Sequence, residues 1–106
     1  MKLEEVWPAL REGSRVMNSD WDAGEYIVWQ EGYPDGIPIN ANTARATGIA
    51  EGTVKKFSPY VMRHTSHGDF EPYVMSQSDM VSNLWQIGST DPINPVVIGY
   101  DFEQNK

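Results

Sequence analysis

The chain has 106 residues and no cysteine, enough for one compact domain and too little for two hydrophobic cores. Lys and Arg number 8 against 15 Asp and Glu, and the formal charge of -7 has the wrong sign for a protein that coats a phosphate backbone, so DNA or RNA polymers are not expected partners. Hydrophobic residues make up 40% of the chain, too many for a disordered one, and the lack of thiols removes disulfides, thiolate metal sites and cysteine nucleophiles together. No apolar run approaches the ~20 residues a membrane helix requires, and the start is charged at Lys2, Glu4 and Glu5. A protein of the reducing cytoplasm, away from membranes, is expected.

Leu3, Val6, Trp7 and Leu10 fall at i, i+3, i+4 and i+7, the apolar stripe of a short amphipathic helix that Gly13 ends. Pro8 cannot donate the hydrogen bond that Glu4 would accept, which predicts a late start near Trp7 with Pro8 in the first turn. Residues 14–17 read as a strand, residues 18–24 as a polar corner carrying Trp21, and residues 26–29 as a second strand antiparallel to the first. Gly32, Pro34, Asp35, Gly36 and Pro38 predict a loop. A helix of one or two turns follows over 42–47, with Asn40 or Asn42 as its cap and Gly48 as its stop.

Residues 54–57 and 60–64 are strand-like, residues 66–69 form a turn, and residues 70–74 return the chain in a hairpin with Pro72 near a sheet edge. Ser76 followed by Asp79 predicts a capped helix through Leu84, and residues 85–87 a last strand. The expected fold class is α+β, a small single domain with a twisted antiparallel sheet and a few short helices. It is expected over residues 1–87, and residues 88–106 form a C-terminal extension whose run from Pro95 to Tyr100 suits an edge strand or a contact with another subunit.

The chemistry on offer favours binding over catalysis. There is no G-x-S-x-G elbow, P-loop or G-x-G-x-x-G, and His64 and His67 with Asp69 straddle a strand end and a turn, so neither a metal site nor a cofactor is expected. Trp21, Tyr33, Tyr60 and Tyr73 stand beside polar or turn residues, where a ring can be held half-exposed for a planar ligand. Trp7, Trp29 and Trp85 fit regular apolar patterns and are expected in the core. Arg15 and Arg63 are candidate neighbours of a phosphate or ribose, with surface ion pairing as the alternative.

The stretch DGIPINANTARATGIAEGTVKKFSPYVMRHTSHGDFEPYVMSQSDMVSNLWQI, preceded by ALREGSRVMNSDW, resembles the second family of Thoeris anti-defence proteins. The resemblance rests on the G-x-x-V opening with Trp21 after it, the INANTARATG segment, EGTV with the following PYVM, the hairpin, and Ser-Gln-x-Asp before Trp85. It implies a phage or prophage sponge, not an enzyme, which sequesters a cyclic ADP-ribose isomer and in some relatives a CBASS-type cyclic oligonucleotide. It also implies a homo-oligomer, tetramer or dimer, with pockets at subunit interfaces. On this resemblance Trp21 stacks on a base, Tyr73 keeps an aromatic surface where relatives have Trp, and Ser76, Gln77 and Asp79 order the pocket wall or touch ligand. The hairpin tip Ser66-His67-Gly68 and the pair Asn83-Leu84 depart from the family pattern, which bears on the ligand more than on the fold. Two other classes stay open: an acidic module that blocks a host protein directly, and a small hydrolase that destroys the signal.

Overall fold

In the computed structural model, which describes residues 1–88, three helices and seven strands follow in the order α1 (Leu3–Arg11), β1 (Val16–Asn18), β2 (Tyr26–Gln30), β3 (Tyr33–Pro38), α2 (Ala41–Thr47), β4 (Val54–Phe57), β5 (Tyr60–His64), β6 (Phe70–Pro72), α3 (Gln77–Val81) and β7 (Trp85–Ile87). This is the expected α+β class. The extension after residue 88 lies outside the described residues. Among them, no helix is long and apolar enough to cross a membrane.

Helix α1 starts at Leu3, earlier than Pro8 suggested, and carries Pro8 inside it. The start is held because the Glu5 carboxylate accepts the Lys2 N–H at 2.7 Å while the Glu5 N–H reaches the Lys2 carbonyl at 3.0 Å. A proline inside a helix costs about 3 kcal/mol. Here full burial of Val6 and Leu10 on the same face offsets it. Gly13, at φ 109°, ends the helix in a Schellman turn, with its N–H on the Leu10 carbonyl (3.1 Å) and that of Ser14 on Ala9 (2.9 Å).

The five-stranded sheet has the order β6-β5-β2-β1-β7 with antiparallel neighbours throughout. Directly opposed residues share a face, so the register sorts the side chains. Val16, Ile27, Trp29, Val61 and Trp85 point to the face that α1 covers; Val16, Ile27 and Trp85 make the core with Val6 and Leu10, and Trp29 and Val61 pack against it. Met17, Tyr26, Val28, Met62, His64 and Phe70 point to the opposite face, on which no described helix packs. Trp85 is 1% exposed, whereas Trp7 and Trp29 are half-buried at the core margin, a correction to the expectation that all three lie inside.

The Gly- and Pro-rich segment expected to be a loop is strand β3, paired antiparallel with β4. Its register continues that of β2 and β5: Gln30 faces Tyr60 and, three residues further, Tyr33 faces Phe57. The two pairs are therefore one long hairpin, broken where Gly32 turns at φ 72° and a Cβ would stand 2.5 Å from the Phe57 carbonyl oxygen. Helix α2 closes the far end, with Asn40 accepting the Thr43 N–H at 2.9 Å and Gly48 left-handed at its end, as its sequence predicts. In the resulting arm Ile39 is buried, its N–H on the Thr53 carbonyl at 3.0 Å, and among the described elements β3 and β4 contact only each other.

Candidate ligand-binding site

The polar corner after β1 aims Trp21 back at the domain. Asn18 is buried; its Oδ1 accepts the Asp20 N–H and its Nδ2 donates to Ser82 Oγ, both at 3.0 Å, while its carbonyl accepts the Trp21 N–H at 2.9 Å. The indole thereby sits edge-on between two rings, 5.3 Å from Trp85 and 5.8 Å from Tyr73.

Asp79 ties this aromatic group together. Its carboxylate accepts the Tyr73 hydroxyl, its N–H donates to the Ser76 Oγ that caps α3 (3.1 Å), and its carbonyl accepts the Trp85 Nε1–H at 3.0 Å. Burial, the hydrogen bond to Asp79 and the Asp79 charge all push the Tyr73 pKa up, against the pull of the Arg63 charge. The phenol is held neutral and donates its proton in the hydrogen bond to the carboxylate.

The other side of Tyr73 walls an open groove of about 590 Å³. Trp7 and Pro8 of α1, Val61 of β5, Tyr73 and Met75 from the segment after β6, and Met80 of α3 all line it. Glu4 is the one charged residue in the lining. An apolar slot edged by two flat rings and closed by thioether side chains accepts a planar ring system without asking for a particular hydrogen-bond pattern.

Residues 1–88 match the family model of the Tad2-like, or Thoeris anti-defence 2-like, domain. The chain belongs to this family. No curated protein matches it. Membership supports a role in countering a bacterial defence system, and the match ends where the described residues end.

Within this anti-defence domain the fold brings Trp21, Tyr73, Ser76 and Asp79 into one cluster, with the exposed Gln77 next to the cap. Arg63 is on the same sheet face as Val61 and its charge reaches Tyr73, but its Nη2 is held by Glu25 at 3.1 Å and its Nε stands 3.9 Å from Glu71. Arg15 leads into β1, where its charge acts on Tyr26. Tyr60 begins β5 on the uncovered face, its hydroxyl donating to Met62 Sδ. His64 stacks on Tyr26 at 4.6 Å and its Nδ1 pairs with the Gly24 carbonyl. Trp7, Met75 and Met80 went unread as site residues. Trp7 shares the helical stripe of buried residues, and nothing in the local pattern distinguishes the stripe's margin from its centre.

Proposed function

We propose that the protein is an anti-defence sponge that binds a cyclic nucleotide immune signal of the ADP-ribose type and leaves it intact. The reading rests on family membership together with one observation, the groove edged by Trp7 and Tyr73. A nucleobase stacks between these rings, the ribose lies toward the Tyr73, Asp79 and Ser76 cluster, and Trp21 braces Tyr73 from behind. Arg63 is the cation on that side. Sequestration asks for tight enclosure and no reacting group; the cluster fits this, since its phenol and carboxylate hold each other. The protein acts as a homo-oligomer in the cytoplasm of the infected cell.

Isothermal titration with glycocyclic ADP-ribose isomers, beside a panel of cyclic di- and trinucleotides, tests the reading. Saturable binding of one of them, followed by recovery of the unchanged molecule after heat denaturation, is the expected result. New products in the chromatogram would make the protein a hydrolase. Absence of binding across the panel would leave an acidic module that blocks a protein.

A further inference from the structure

The apolar walls of the groove take any planar ring, and Glu4 is where the lining can choose among them. It is the one charged residue there, and its carboxylate has no hydrogen bond or ion pair among the described residues. The acids near it are engaged: Glu5 accepts the Lys2 N–H at 2.7 Å, Glu25 holds Arg63 at 3.1 Å and Glu71 stands 3.9 Å from the same guanidinium. Pro8, one turn further along α1, has no N–H to give the Glu4 carbonyl, so this end of the groove gains a second acceptor. The hydroxyl of the lining, on Tyr73, is already given to Asp79.

A carboxylate accepts hydrogen bonds and donates none. An amino group on the edge of a stacked ring gives it a charge-assisted hydrogen bond, whereas a carbonyl at the same place sets acceptor against acceptor. Phosphate oxygens are repelled from it outright. An acid in the first turn also favours the helix end, but that role depends on the charge alone and is indifferent to which ring lies in the groove. We infer that Glu4 reads the exocyclic amine of the base, so that the groove selects an aminopurine over its oxo counterpart and keeps the phosphates away from the start of α1. The inference rests on the sponge reading for the rest of the ligand, while the base subsite is built within one chain and answers to the nucleoside alone.

Adenosine carries the amine and inosine a carbonyl at the same ring position, and both are titrated into the isotopically labelled full chain. The indole N–H resonance of Trp7, assigned by its loss in Trp7→Phe, reports occupancy of the groove. In the wild type adenosine is expected to shift it saturably, and inosine to bind tenfold or more weakly. The amide of Glu4→Gln both accepts and donates, so the two nucleosides are expected to come within about threefold of each other in that variant. In Glu4→Ala both bind weakly and the preference is lost. Thermal melting of each variant shows that α1 is still folded, and the ratio between nucleosides is a quantity that a purely structural role of Glu4 leaves unchanged.

Equal affinities in the wild type, a preference that survives in Glu4→Gln, or adenosine without effect on Trp7 would each overturn the inference. A glycocyclic ADP-ribose that binds tightly alongside any of these results leaves the sponge reading standing without a base reader at Glu4. Selective binding of adenosine at Trp7 with no binding of any cyclic nucleotide does the reverse: the sponge reading falls and the amine-reading subsite stands.

Discussion

At the scale of single residues, Tyr73 does two jobs, one face on the groove and its hydroxyl on Asp79. Tyr73→Phe keeps the ring and deletes the bond, and a half-buried hydroxyl on a carboxylate is worth about 1–2 kcal/mol. The folded pKa of Tyr73 lies above the ordinary phenol value of 10.0, so this stability is present below pH 10.0 and is lost as pH rises beyond it toward the folded value. Urea midpoints at pH 8 and pH 11 should therefore fall further apart in the wild type than in Tyr73→Phe, and parallel pH profiles would mean the bond does not form. Trp7→Ala removes a stacking wall worth about 1–3 kcal/mol, a loss of roughly 5- to 150-fold in titrated affinity. The polar half of the cluster was legible because Ser76 and Asp79 are joined by a local cap and Tyr73 stands six residues from Asp79. The apolar half was not, since the meeting of Trp7 and Tyr73 in one lining depends on where α1 lies on the sheet.

At the scale of elements, the strands and helices with local causes were readable: α2 from its Asn40 and Gly48 caps, the β5–β6 hairpin from its turn, and β7 from the run around Trp85. Helix α3 ends at Val81, short of the expected Leu84, and two larger misreadings share one origin. Pro8 and the Gly- and Pro-rich β3 carry local signals against regular structure, and both are overruled by partners distant in sequence, the sheet beneath α1 and the strand β4. Pro8→Ala should return a hydrogen bond to the Glu4 carbonyl and raise stability by about 1–2 kcal/mol after the entropy gained by the unfolded chain is subtracted. A lower melting temperature in that variant would show that proline shapes the helix in a way alanine does not. In the arm, Gly52 is left-handed at φ 88° with open space around a Cβ, so Gly52→Ala costs about 1–2 kcal/mol of backbone strain. Gly32→Ala adds a collision with the Phe57 carbonyl at the break between the two hairpin halves. Hydrogen exchange at the Ile39 amide, which bonds the Thr53 carbonyl, should therefore speed up far more in Gly32→Ala than in Gly52→Ala, and equal protection would place the strain elsewhere.

At the scale of the whole molecule, copies of a chain of formal charge -7 repel one another, while the uncovered sheet face with Val28, Met62 and the 57% exposed Phe70 offers apolar area to bury in the homo-oligomer proposed above. Near 0.01 M salt the Debye length is about 30 Å, so whole molecules repel before these faces meet. Near 0.15 M it is about 8 Å, which hides the distant charges, and near 1 M it is about 3 Å, which screens neighbouring charges as well. Apolar burial is not weakened by this screening. Association measured by sedimentation equilibrium should accordingly rise with salt up to the highest concentration. A maximum at intermediate salt would instead show that local charge pairs hold the copies together, because they alone lose strength as the screening length falls from about 8 Å to about 3 Å.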